Sequence, residues 1–285
     1  MYNAVLPAVS LNGKKYFYTN PLRVNLDIPY TLRWSKEREE YIRRCNCCPP
    51  NIVRTIAETG NYLYSQSNEG LWFNMYGGNN LETTLTDGSR IALEQVTRYP
   101  LDGQIRIQLN TVPDRAFSLF LRIPAWADKA SLSINGKPAD QELHCGTYAE
   151  LRQKWKSGDV LQLDLPMKAK LMQSNPLVEE TFNQVAVQRG PVVYCLESPD
   201  APENTRIFNL AIPDSIYFTE IDTNIQDNHL IILEGDALLT SNGDWENRLY
   251  RELASSQKKI KIRLIPYYAW GNRGKSEMTV WMARH

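Results

Sequence analysis

The stretch QIRIQLNTVPDRAFSLFLRI, residues 104–123, decides the fold class. Ile105, Ile107 and Leu109 alternate with polar residues, and after the Val112-Pro113-Asp114 break Phe117, Leu119, Leu121 and Ile123 do so again. A period of two places each apolar set on one face of a strand. Working outward, Leu132 and Ile134 repeat the pattern, as do Leu161, Leu163 and Leu165. Turn dipeptides separate these runs: Asp87-Gly88, Asp102-Gly103, Asn135-Gly136 and Gly158-Asp159. Short strands at this spacing predict a sandwich over 69–173. A second strand-rich region, 174–285, carries its best strands at Val185–Leu196, Leu230–Leu233, Ile260–Ile265 and Met278–Met282, with a turn at Asn242-Gly243. It predicts a second sandwich. The fold class is therefore mainly β, with two β-sandwich domains preceded by a short mixed segment, 1–68.

That first segment opens with a hairpin pattern around Asn12-Gly13. A charged run from Ser35 to Arg44 follows and reads as a solvated face. Beyond it, Ile52, Val53, Ile56, Ala57 and Leu63 recur at helical spacing. Pro49 and Pro50 stand in the first turn of that helix, where a missing N–H costs little.

Composition excludes several functions. Lys plus Arg and Asp plus Glu are 32 each, so the formal charge is zero. That argues against nucleic-acid binding through a broad basic face. A polybasic membrane-surface role is disfavoured in the same way, and no run approaches the ~18 apolar residues of a membrane span. Residues 1–7 show neither a basic n-region nor an apolar signal core, and the compartment stays open.

Five cysteines are present, three of them within four residues: Cys45, Cys47 and Cys48. Neighbours this close pair poorly with each other, so the cluster reads as thiol or metal chemistry. It sits just before a helix N-terminus, where unpaired N–H groups and the helix dipole favour a thiolate. A thiolate is a nucleophile and a soft metal ligand. Taken alone the cluster is compatible with a metal knuckle, a redox thiol or a catalytic thiolate. Cys145 and Cys195 read as small hydrophobes. His144, His229 and His285 share no metal-type spacing with the cluster and read as surface residues. Trp72, Tyr76, Trp126, Trp155, Trp245 and Trp270 read as packing rather than as a sugar-stacking platform.

The motif Arg44-Cys45-Asn46-Cys47-Cys48-Pro49-Pro50-Asn51-Ile52-Val53-Arg54 resembles the cysteine motif of the β-L-arabinofuranosidase-like enzymes of glycoside hydrolase family 127. Five other segments resemble that family in the same order: Tyr2–Leu6, Phe17–Leu22, Leu121–Trp126, Val187–Tyr194 and Ile265–Gly274. The resemblance implies the last elements of an (α/α)6 catalytic barrel followed by two sandwiches. It implies Cys47 as both nucleophile and zinc ligand, and Cys48 as a second zinc ligand. Cys45 receives no role. The implied reaction is retaining hydrolysis of a terminal β-linked L-arabinofuranoside, with an arabinose-containing oligosaccharide as substrate. The family's acid/base glutamate and remaining zinc ligands lie upstream of the motif, where this chain has 44 residues before Cys45. Glu37, Glu39 and Glu40 stand there in a charge run unlike the family's motifs and are not assigned. The expectation is thus a C-terminal portion, inactive alone. A non-catalytic module for glycan binding, or for homodimerisation through the second sandwich, is the alternative.

Overall fold

The computed structural model describes residues 1–28, 38, 47–240, 249–250, 252 and 258–285. Asn242-Gly243, Trp245 and Cys45 lie outside them, as does the charged run except Arg38. The chain divides into two compact units, Thr55–Lys168 and Met1–Arg54 with Ala169–His285.

The unit Thr55–Lys168 is a sandwich of two sheets. One has six strands in the order Asn79–Thr84, Arg90–Thr97, Gln104–Thr111, Val160–Asp164, Ser131–Ile134 and Lys137–Pro138. The other orders Thr147–Lys154, Ala116–Ile123, Gly70–Phe73 and Tyr64–Gln66. The alternation read from the sequence sets which face turns inward. Ile105, Ile107 and Leu109 from the first sheet meet Phe117, Leu119 and Leu121 from the second in one buried core. Trp155 seals it, donating its indole N–H to Phe117 O at 3.2 Å. Trp72 lies flat on Phe120, centroids 3.8 Å apart, with Tyr148 edge-on. These aromatics serve packing.

Ala116–Ile123 pairs parallel with Gly70–Phe73, and the register puts Gly70 opposite Ser118. Backbones approach so closely there that a Cβ on Gly70 would stand 1.8 Å from Ser118 O. Gly103 is equally constrained: its Cβ would meet Leu165 O at 1.9 Å, and Leu165 N donates to Gly103 O at 3.0 Å.

The second unit builds one sheet that closes on itself. Val192–Glu197, Lys258–Pro266, Asn228–Leu239, Leu210–Ile212, Met282–Arg284 and Gln184–Arg189 pair in sequence, and the last pairs back with the first. Its interior holds Val187, Tyr194, Leu196, Ile212, Leu233, Ile262, Leu264 and Met282. A second cluster forms where the N-terminal segment lies on the strand surface: Phe17 and Val24 pack with Cys195, Ile265, Tyr267, Trp270 and Met278. Around Asn12-Gly13 the chain makes a turn with a single bridge, Val9 to Tyr16, and Gly13 at φ +72°.

Four of the six segments that carry the family resemblance meet here. Asn3 donates to Pro191 O at 2.9 Å and accepts from Val193 N at 3.0 Å. Tyr267 OH donates to Pro21 O at 2.8 Å, and Phe17 stacks on Trp270 at 4.4 Å. Glu197, fully buried, accepts from Gly271 N at 2.7 Å, Ser276 Oγ at 2.9 Å and Arg273. Arg273 also holds Asp200. A buried carboxylate is tolerated because each of these donors replaces water.

Arg38 differs from the solvated face expected of its run. It is 7% exposed, because its guanidinium donates to Pro7 O and Trp270 O, both at 2.8 Å, and lies over the Phe17 ring.

Gly103→Ala forces backbone apart and is expected to cost about 3 kcal/mol. Gly88→Ala, where nothing lies within 4 Å but φ is +86°, is expected to cost about 1 kcal/mol. Urea denaturation of the two variants checks the difference.

Candidate active site

The predicted helix forms as α1, Cys48–Ala57, and continues as a 3-10 turn over Glu58–Tyr62. Cys47 precedes it as the cap. Its carbonyl accepts from Asn51 N at 3.3 Å and from Asn51 Nδ2 at 2.7 Å, and Arg54 holds the Asn51 side-chain oxygen. The first turn therefore fixes the backbone of Cys47 through a side chain three residues into the helix. Pro49 is buried and Pro50 exposed. Neither has an N–H, so two of the donors that would face an anion at an ordinary helix start are missing.

Cys47 is exposed and Cys48 half-buried, and their sulfurs stand 3.5 Å apart. That exceeds the ~2.05 Å of a disulfide. Two thiolates on one tetrahedral ion, with bonds of ~2.3 Å, would stand roughly 3.8 Å apart. The pair thus fits two positions of a zinc site. Among the described residues no three His, Cys, Asp or Glu side chains converge to complete one. Val53 is 50% exposed and Ile56 40%. The described residues leave open to solvent the apolar face that the helical spacing predicts.

The other cysteines separate by environment. Cys145 is exposed, unlike the small hydrophobe expected, because it stands in the turn before the strand Thr147–Lys154 and not on a packed strand face. Cys195 is fully buried. Its thiol is pushed well up, first by burial and then by the nearby charges of Glu197 and Asp200. His144 and His229 are exposed, each beside one carboxylate, and His285 is exposed at the end of the chain.

Three family models cover the chain in order. The β-L-arabinofuranosidase GH127 catalytic domain matches residues 1–61, the GH127 middle domain 70–167 and the glycoside hydrolase family 127 C-terminal domain 169–283. The chain belongs to glycoside hydrolase family 127. A solved structure titled glycoside hydrolase is 52% identical, with a TM-score of 0.96 over 99% of this chain and 47% of its own. A GH127 β-L-arabinofuranosidase from Geobacillus stearothermophilus T6 is 34% identical, with a TM-score of 0.91 over 100% of this chain and 45% of its own. A non-reducing end β-L-arabinofuranosidase of Bifidobacterium longum subsp. longum is 29% identical over 100% of this chain and 44% of its own length. The chain therefore spans about half the length of these relatives.

The match to a catalytic-domain model covers residues that the fold uses differently. Residues 1–28 lie on the C-terminal sheet, and the cysteines begin a helix. Sequence reading found Cys47 and Cys48 but not the Glu197–Arg273–Asp200 cluster. Its one signal was the Ile265–Gly274 resemblance, which includes Arg273.

Brief alkylation of the native chain with iodoacetamide at neutral pH, followed by peptide mapping, is expected to label Cys47 and Cys145 and to spare Cys195. Early labelling of Cys195 would contradict the burial described.

Proposed function

We propose that this chain is the C-terminal part of a retaining glycoside hydrolase that releases terminal β-L-arabinofuranose, or a related L-furanoside, from plant-type glycans. Cys47 is the nucleophile, and Cys47 and Cys48 are zinc ligands. The observation that carries the proposal is the pair of sulfurs, 3.5 Å apart at the start of α1, in a chain of this family. The names of the matched relatives support the substrate.

In this reading the Cys47 thiolate attacks the anomeric carbon. The bond to the leaving oxygen breaks, and a carboxylic acid protonates that oxygen. Water then adds to the anomeric carbon of the thioglycoside, giving its proton to the same carboxylate; the C–S bond breaks, and the thiolate returns with the sugar's configuration retained. Two inversions at one carbon give that outcome. Zinc, when bound, would keep both sulfurs ionised and in place. Loss of two N–H donors to Pro49 and Pro50 makes a cation the more needed source of that charge balance. Asn51 holds the Cys47 carbonyl and so sets where the sulfur can stand. The acid and the remaining ligands are assigned to no residue of this chain.

The 285-residue chain by itself is expected to release no L-arabinose from an aryl β-L-arabinofuranoside. Measurable turnover would remove the claim that it is incomplete. In a barrel-containing form of the protein, Cys47→Ser is expected to reduce turnover at least 10³-fold, a change of roughly 4 kcal/mol in barrier height. Cys48→Ser is expected to lower zinc content measured by atomic emission. Unchanged turnover in the Cys47 variant, with fold and zinc retained, would sink the nucleophile assignment.

A further inference from the structure

We propose that the cleft between the Ser10–Lys15 turn and the Trp270–Ser276 loop binds a small molecule through one anionic group, a carboxylate or a phosphate. The cleft encloses about 190 Å³. That is less than the ~300 Å³ of the smaller organic-ligand pockets but several times the ~30 Å³ of a water. It suits an oxyanion or one small sugar acid.

Among the described residues the charge of its walls is one-sided. Lys15, Lys275 and Arg38 line it, with Asn12, Gln226 and Ser276 among the polar groups. No carboxylate lines it among the described residues. The carboxylates beneath, Glu197 and Asp200, are already committed to Arg273, and Glu197 also accepts from Gly271 N and Ser276 Oγ. Among the described residues, four cations (Lys15, Arg38, Arg273 and Lys275) thus meet two carboxylates around this loop.

Arg38 is the built part. It is 7% exposed, and each of its Nη atoms donates to a carbonyl, one to Pro7 and one to Trp270. Its Nε is buried with no partner among the described residues. Burial pushes its pKa down to about 10, against the pull of Tyr267 and Glu197. A guanidinium held in this way is a fixed charge whose cost an anion in the cleft would offset. The aromatic floor offers no stacking face, because Phe17 lies between Trp270 and Arg38. Recognition is therefore by charge and hydrogen bonds rather than by ring stacking. Lys15 and Lys275 are exposed on the rim, where ammonium groups reach a ligand as point charges.

The test is calorimetric titration of the full chain, at low salt, with inorganic phosphate, D-galacturonate and neutral L-arabinose. Saturable binding of phosphate or galacturonate, and none of L-arabinose, is expected. Tighter galacturonate identifies a sugar acid as the source of the anion, and tighter phosphate identifies a free oxyanion. The exposed pair Lys15→Ala with Lys275→Ala should weaken binding at least tenfold without changing the melting temperature. Lys275→Arg should retain it, and remote Lys137→Ala should leave it unchanged. No binding of either anion overturns the proposal. So does equal binding by the double variant, which would mean an adventitious ion only.

Discussion

The pairing of Gln184–Arg189 with Val192–Glu197 closes the C-terminal sheet on itself. An open sheet of these strands would present two unpaired edges, and closure satisfies their backbone groups within the unit. It also fixes which side chains face in. Val187 and Tyr194 stand opposite each other in the register and enter the same interior core. On the opposite side of the strand, Cys195 turns into the second cluster, under the N-terminal segment. The strand ends at Glu197, and the Trp270–Ser276 loop is tied to that carboxylate. Core, cover and charged loop thus depend on one hairpin.

The consequence for chemistry is a division of labour within the chain. Sulfur is placed by the first turn of a helix, a local device that needs Cys47, Asn51 and Arg54 in sequence. Charge around the loop is placed by residues far apart in sequence: Arg38, Glu197 and Arg273. Each buried charge there is held by several donors or acceptors, as the low dielectric of an interior demands. The resemblance segments near residues 3, 17–22, 187–194 and 265–274 are explained by this packing. They specify how the N-terminal segment lies on the sheet, and they contain no nucleophile.

Much of the architecture was legible because it is periodic. The alternation at 105–109, 117–123, 132–134 and 161–165 marked strands that the fold contains, and the glycines of Asp87-Gly88, Asn135-Gly136 and Gly158-Asp159 all adopt positive φ in turns. The helix after Cys48 was legible from spacing and prolines. The Val185–Leu196 run was read as one strand, yet Gly190 at φ +54° breaks it into a hairpin. Arg38 was read as solvated because its neighbours in sequence are charged. What buries it comes from Phe17 and Trp270, which no local pattern connects.

The sequence alone determined the β-rich class, the strand faces, the helix start and the adjacency of Cys47 with Cys48, since each follows from side-chain order along the backbone. Tertiary structure decided that the C-terminal sheet closes, that residues 1–28 cover it, and that the buried Glu197 and Arg38 and the more exposed Arg273 meet around the Trp270–Ser276 loop. Those outcomes depend on groups more than 200 residues apart, as in the bonds from Arg38 to Trp270 O and from Tyr267 OH to Pro21 O. Pairing at that range is fixed by the burial and hydrogen-bond balance of the whole fold, which no short window of sequence contains.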